Sequence, residues 1–432
     1  MNNVAKNATW IIACKMIQAI VALVINILTA RYLGPEKYGL ITYATSLVAF
    51  VVPLMQLGFS DTLVQEIINN PQKEGELLGT AVLFSAISSI CCIIGITVFS
   101  FVANPNEPST IIVCALYSIL LIFQAFDLIQ YWFQAKLMSK YTSIISLGAY
   151  LVVAVYQLLL LVLAKGVYWF AISNTINYAI IAVGSVSLYK KKGTQPLSFS
   201  KKLGKDMFSR SKHYILAGMM VTVFAQTDKI MIKLMLGKTA TGYYGAAITC
   251  AGMAGFVATG IIDSFRPSIL EGKKTDEKVF ENRLAMLYSI ITYLALVQSL
   301  AFTVFAPLII RIIYGANYSP AVAALQIVVW YTTFCYMGAV RNIWILANNK
   351  HHYLWKINML GALANVVLNA ILIPIYGIYG ASVASLITQI FTNVIVGYII
   401  RPISPNNAIM AKGLNPRYLL EAFNKLKLSR KK

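Results

Sequence analysis

Carboxylates are scarce in this sequence. Its 432 residues hold 15 Asp and Glu, and charged residues of either sign make up only 12%, against about 25% in a soluble domain. With 58% hydrophobic residues and a mean hydropathy of +0.70, no soluble fold can hide so much apolar surface, and the chain reads as an integral membrane protein. Histidine is scarcer still. His213, His351 and His352 all sit at the edges of apolar runs; interfacial hydration suits them better than metal binding, and general acid–base catalysis is left with poor candidates. The six cysteines, Cys14, Cys91, Cys92, Cys114, Cys250 and Cys335, form no CxxC or Cys/His spacing and fall inside apolar runs, so they read as small buried hydrophobes. There is no Walker A loop to bind ATP, no DDxxD-like cluster to hold Mg²⁺ for prenyl or glycosyl transfer, and no GxSxG. The first apolar run lacks a small-residue cleavage site, so no cleavable signal peptide is expected. No metal or organic cofactor is expected either.

What is there is a succession of apolar runs of about twenty residues, the length of a membrane-spanning helix. Twelve are expected, at about 9–30, 39–58, 79–103, 110–132, 142–164, 167–189, 213–236, 243–265, 285–310, 321–346, 354–375 and 377–400. Lys and Arg are distributed 27 to 5 between alternate sides of these spans, and four more lie within them. The positive-inside rule then puts both termini in the cytoplasm. Most of the formal charge of +21 is thus topological and needs no nucleic-acid partner. The basic tail is expected to lie against anionic headgroups or to be simply solvated. The outer loops are short, with no room for an extracytoplasmic catalytic domain.

A basic segment at 190–212 falls at the midpoint and divides an N-terminal lobe of six helices (1–189) from a C-terminal lobe of six (213–400), with a basic tail at 401–432. An internal echo supports the division. Gly34 and Gly39 flank one LG-x4-G turn, Gly237 and Gly242 flank another, and the offset is 203 residues. An even number of spans per half makes the repeats parallel, with a pseudo-two-fold along the membrane normal.

Several polar residues share helix faces within the spans. Lys15, Gln18, Ala22, Asn26 and Thr29 are spaced 3, 4, 4, 3, either as a wet cavity wall or as hydrogen-bonding glue between helices; Lys15 favours the cavity. In the fourth span Asp127 follows Gln124 at helical spacing, and is read as a titratable group, a partner for Lys15, or an interfacial carboxylate. Thr222, Gln226, Lys229 and Lys233 share a face of the seventh span, with Asp228 about 100° round. Positions three and four away from Asp228 are Phe224, Ala225, Met231 and Ile232, so any basic partner lies on another helix, or Asp228 shares a cavity edge with Lys229. Lys233 is read as a cavity cation or as a side chain reaching outward. Arg341, beside Asn342, suits a phosphate through its bidentate fork or reaches the interface. Asp263 and Arg266 read as an interfacial ion pair. Asn358, Asn365 and Asn369 read as packing glue, with Pro374 ending that helix and Gly377 and Gly380 forming the turn.

Four stretches carry a family resemblance: ARYLGPEKYGLITYATSLVAF (30–50), DLIQYWFQAKLMSKY (127–141), QTDKIMIKLMLGKTATGYYGAA (226–247) and ANVVLNAILIPIYGIYGASVASLITQ (364–389). Over essentially the whole chain the sequence resembles the bacterial polysaccharide and O-antigen repeat-unit flippases, the Wzx-type transporters of the MATE-like MOP superfamily. The resemblance implies an all-α membrane protein of about twelve helices in two six-helix lobes around a central cavity, in the bacterial inner membrane. It implies a polyprenyl (undecaprenyl) pyrophosphate-linked oligosaccharide as cargo, surrounding membrane lipids, and polysaccharide polymerase and chain-length regulator proteins as partners. Within that frame Lys15, Lys229, Lys233 and Arg341 are candidate cargo-binding cations, and Gln18, Asn26 and Gln226 are cavity polar groups. Asp127 and Asp228 are candidate groups for coupling to H⁺ or Na⁺. Two competing readings are a multidrug or small-solute antiporter, which four intramembrane cations disfavour, and a membrane polymerase or ligase, which the short outer loops disfavour.

Overall fold

The computed structural model describes residues 3–421, with the backbone alone for residues 3–9, 11 and 12. The side chain of Lys6 and residues 422–432 of the basic tail lie outside the described residues. Among the described residues the structure is helical throughout, with no strand. Lipid offers no partner for a free backbone amide or carbonyl, so each apolar run satisfies its own as helix.

The chain forms two compact units, 1–242 and 243–432. The first holds α1 (Asn3–Met55), α2 (Phe59–Asn69), α3 (Glu74–Ala103), α4 (Pro108–Ser118), α5 (Leu120–Gln124), α6 (Ile129–Ala135), α7 (Ser139–Val162), α8 (Val167–Lys192) and α9 (Lys201–Leu236). Helix α10 (Lys238–Gly252) starts in it. The second holds the rest of α10, then α11 (Gly255–Thr275), α12 (Glu277–Ile313), α13 (Ala321–Ala347), α14 (Leu354–Ile390), α15 (Val396–Ile399) and α16 (Ser404–Gly413). Ten helical stretches are long and apolar enough to cross a membrane. Two of them, 13–69 and 351–399, are broken inside by Gly34 and Gly377, so the expected twelve spans are recovered when each counts as two.

Glycine sets these breaks. Gly34 (φ 71°, ψ 171°) and Gly237 (φ 86°, ψ −179°) adopt the same positive-φ conformation, which residues with a Cβ rarely enter. In α14 the helix does not end at Pro374, as expected, but runs on to Gly377 (φ 60°). Proline only removes a donor and crowds the preceding turn, whereas positive φ redirects the chain.

In the first unit, apolar residues of α2, α3, α6 and the end of α8 pack with Met207 of α9, around Phe59, Leu63, Trp132 and Tyr189. The segment 193–200 straps across the start of α3. Thr194 donates to Glu74 (2.7 Å), Ser198 N–H to the Gly75 carbonyl (3.2 Å) and Ser200 N–H to Thr80 Oγ1 (3.0 Å). Glu74 is fully buried and also pairs with Lys136 at 2.8 Å. In the second unit α11, α12 and α13 pack around Leu284, Tyr288, Val340 and Trp344.

Three expectations change. Of the cysteines, Cys14, Cys114 and Cys250 are buried, whereas Cys91 and Cys335 are exposed, on faces of α3 and α13 turned away from their own unit's core. Asp263 and Arg266 are both exposed and form no ion pair among the described residues. The fourth span is not one continuous α-helix: it tightens to a 3₁₀ turn at Ala125–Leu128, although no proline or glycine lies within 109–135. Asn369 donates to buried Asn365 at 3.0 Å, a bond within α14.

The repeat is visible as a contact. A methyl group on Gly39 would run into the Lys238 carbonyl, and one on Gly242 into the Pro35 carbonyl. Lys238 follows Pro35 by the same 203 residues that separate Gly242 from Gly39, so the two turns meet reciprocally. Replacing Gly39 or Gly242 with Ala is expected to destabilise the first unit by about 1–3 kcal/mol through overpacking. Gly148→Ala, inside α7 where nothing stands within 4 Å, should not destabilise it and gains up to about 1 kcal/mol of helix propensity. Thermal unfolding of the purified protein in detergent reads the difference, and equal melting temperatures for all three variants would refute the contact.

Candidate functional site

Charge enters the apolar interior on α9. Thr222, Gln226, Lys229 and Lys233 follow one another at helical spacing, and the structure gives the two lysines different surroundings. The half-buried Lys229 donates through Nζ to Oε1 of half-buried Gln226 at 3.1 Å. Its anchor is therefore neutral, three residues back on its own helix. Asp228 is buried beside it, and the two charges act on each other. The pair occupies a membrane-length helix with no basic residue three or four places from Asp228.

Lys233, one turn on, is caged. Only 2% of it is exposed. Its Nζ donates to Asn104 Oδ1 at 2.8 Å, lies 3.1 Å from Glu107 Oε2, and sits 5.4 Å from the centre of the Tyr43 ring. Asn104 Nδ2 points back to the Tyr43 hydroxyl at 3.5 Å, and Thr110 donates to Glu107. This cage joins α9 to α1 and to the loop between α3 and α4. Burial pushes the Glu107 carboxyl up. Hydrogen bonds from Thr110 and Lys233, together with the charges of Lys233 and Lys238, outweigh burial and hold it below the usual carboxylate range. A second pair, Lys238 with Glu36 at 2.7 Å, lies at the same end; it is exposed and worth about 1 kcal/mol or less.

On α1 the polar face runs from exposed to buried. Lys15 is exposed, Gln18 and Asn26 are half-buried and Thr29 is buried. Asn26 accepts from the Tyr38 hydroxyl at 2.9 Å, which ties the helix across its Gly34 break. Asp127 sits half-buried in the 3₁₀ turn, close enough to Tyr131 and Tyr178 for its charge to act on both. No ion pair joins it to Lys15 among the described residues; Lys15 stays exposed while Asp127 is turned toward α8. Gln124, one turn earlier, has a buried Oε1 with no partner.

In the second unit Arg341 is 6% exposed. Its Nη1 donates to the Thr392 carbonyl at 2.7 Å and its Nη2 to Asn342 Oδ1 at 3.4 Å; Nε has no partner. Thr392 belongs to a π-helical turn, Phe391–Ile395. Such a widened turn leaves a carbonyl pointing sideways, and Arg341 takes it. Gly338, three residues before, has no room for a Cβ because the Asn393 carboxamide fills the space. The two residues of α13 together hold the π turn.

The structure thus brings together Lys229, Gln226 and Asp228, and binds Lys233 and Arg341 to protein groups. Glu107, Asn104 and Tyr43 were not singled out in the sequence. One signal was available: Glu36 and Glu107 are the only acids in the expected outer loops, and both meet lysines of the second repeat.

The profile of a family described as "Polysaccharide biosynthesis protein" matches residues 4–271. A capsular polysaccharide biosynthesis protein, CapF of Staphylococcus aureus, is 20% identical over 398 residues, 89% of this chain and 96% of its own. An uncharacterized membrane protein of Methanocaldococcus jannaschii, MJ1068, is 23% identical over 239 residues, 51% of this chain and 46% of its own. Among solved structures, the lipid II flippase MurJ in an inward closed conformation superposes with a TM-score of 0.71 at 15% identity, covering 93% of this chain and 90% of that one. An inward-facing multidrug resistance MATE transporter of the MOP superfamily superposes at 0.67 with 13% identity, covering 91% and 96%. These two establish the fold: an all-α, MATE-like bundle.

The cage makes a test of its own. Glu107→Gln strands the buried Lys233 charge, whereas Lys233→Met leaves a carboxylate that one-third exposure keeps hydrated. Breaking a fully buried pair costs about 3–5 kcal/mol; Glu107→Gln should approach the lower bound and Lys233→Met should cost less. Because the Glu107 carboxyl is held low in the folded protein, its contribution is fully present above the ordinary carboxylate value of about 4.3 and is lost as pH falls through the lowered value. The stability gap between wild type and Glu107→Gln, from unfolding at pH 7 and pH 3.5, should therefore shrink in acid. A gap that widens in acid would contradict the cage.

Proposed function

The chain belongs to the polysaccharide biosynthesis protein family, and from that premise we propose that it is a flippase. Its cargo is a polyprenyl (undecaprenyl) pyrophosphate-linked oligosaccharide repeat unit, moved from the cytoplasmic to the outer leaflet of the bacterial inner membrane, with both chain termini in the cytoplasm. The hydrophilic head crosses inside the protein while the prenyl tail stays in lipid. Transport proceeds by alternating access, driven by an H⁺ or Na⁺ gradient or by the membrane potential.

The observation that carries this reading is Lys229. A cation in a membrane helix costs about 2.5–3.5 kcal/mol on insertion scales, and its hydrogen-bond partner here is the neutral Gln226. A pyrophosphate supplies the anionic oxygens that this ammonium can take up. Lys15, exposed on α1, is a second contact of the same sign. Arg341 supports the cargo path indirectly, through the π turn that it holds. Lys233 keeps α9 docked at the end carrying the α3–α4 loop, the outer end in this orientation. Asp127 and Asp228 are the carboxylates through which an ion gradient would act, and Gln18 and Asn26 line the path on α1.

Lys229→Ala is expected to lower surface polysaccharide at least tenfold, with lipid-linked repeat units trapped on the cytoplasmic leaflet and protein level unchanged. Lys229→Arg, which keeps the charge, should retain part of the activity. Normal glycan display in Lys229→Ala would remove the argument. A deletion strain that accumulates no lipid-linked units would remove the flippase reading itself.

A further inference from the structure

A polar pocket of about 160 Å³ opens in the first unit where α2 ends, α3 begins and the first turns of α9 pass. It lies at the limits of the apolar stretches 13–69 and 71–103, the level of a lipid headgroup, far from Lys229. Its volume holds several waters at about 30 Å³ each.

Two carboxylates and two cations line it. Glu66 is already engaged: Arg210 Nη1 donates to its Oε1 at 2.8 Å, and Asn70 Nδ2 stands 3.4 Å from its Oε2. Arg210 is largely exposed, and its remaining N–H donors are free for another acceptor. Lys73 and Asp206 line the same pocket, both exposed, and neither side chain has a hydrogen bond or ion pair among the described residues. They carry opposite charges, yet form no ion pair among the described residues. Asp206 and Arg210 stand one turn apart on α9, and Lys73 joins the lining from the turn before α3. Leu77, Leu203 and Met207 complete the lining, so apolar side chains border the charges.

We propose that this pocket binds the headgroup of an aminophospholipid, its phosphate between Lys73 and Arg210 and its primary ammonium on Asp206. The charge pattern selects among bilayer lipids. An anionic glycerol headgroup brings a phosphate but leaves the Asp206 carboxylate without a cation. A choline headgroup brings a cation without N–H donors, so it gains Coulomb attraction but no charge-assisted hydrogen bond. Of these three, the ethanolamine headgroup alone offers both a phosphate and a primary ammonium. On the proposed orientation the site faces the cytoplasmic leaflet, and a lipid there would join the end of α2 to the start of α9.

Native mass spectrometry of the full-length protein tests this without any transport assay, so its outcome is independent of the flippase reading. The protein is equilibrated in detergent with equal concentrations of dioleoyl phosphatidylethanolamine, phosphatidylcholine and phosphatidylglycerol. The wild type should retain phosphatidylethanolamine over phosphatidylcholine by about tenfold, the worth of one charge-assisted hydrogen bond. Asp206→Asn should erase that preference, and Asp206→Glu should restore part of it. Lys73→Ala should lower retention of both phosphatidylethanolamine and phosphatidylcholine. Both side chains lie at the surface, so the variants should fold. Equal retention of phosphatidylethanolamine and phosphatidylcholine by the wild type overturns the proposal. So does a preference that survives Asp206→Asn.

Discussion

The first unit depends on one backbone-to-backbone crossing. At Gly39 and Gly242 two helices approach until each glycine faces the other turn's carbonyl, with no volume left for a methyl group. The chain reaches this crossing through Gly34 and Gly237, each held at positive φ. Four glycines thus do two jobs in pairs, one turning the chain and one admitting the neighbour. Because the pairs are related by one sequence offset, the contact has the self-complementarity of a two-fold interface. The compact division at Gly242 follows: α9, the first span of the second repeat, is carried into the first unit by this crossing and by its packing on α1, α2 and α3.

Side chains then lock what the glycines allow. Lys233 would be a costly charge on a bare apolar helix. Here it has an anion, a carboxamide oxygen and an aromatic face, which together compensate its desolvation. Lys229 stands one turn away on the same face with a neutral hydrogen-bond partner. Two lysines that look equivalent on a helical wheel are therefore unequal in energy. The charge of Lys233 is consumed by an ion pair across the fold, whereas Lys229 has a neutral hydrogen-bond partner and the charge of Asp228 beside it.

This explains what was legible in the sequence and what was not. Span count, helical class and the Gly34/Gly237 repeat were readable because membrane length, backbone satisfaction and positive φ are local constraints. The polar face of α9 was readable because 3.6-residue spacing is local too. The partners were not. Glu107 is 126 residues from Lys233, and nothing near either names the other. Arg341 looked suited to a phosphate because a guanidinium fork suits oxyanions, but a sideways carbonyl in a π turn uses the same donors, and no sequence pattern announced the turn at Phe391–Ile395. The 3₁₀ tightening at Asp127 was likewise invisible, since no proline or glycine marks it.

The two units consequently hold their buried cations in chemically different ways. In the first, Lys233 is neutralised by a carboxylate on a loop, held below the usual carboxylate range, so that only strong acid or substitution of one side chain releases it. In the second, Arg341 is bound to a main-chain carbonyl, which no change of pH within the physiological range can protonate or remove. The first tie is therefore an ion pair between two side chains, while the second belongs to the frame of α13 and the π turn.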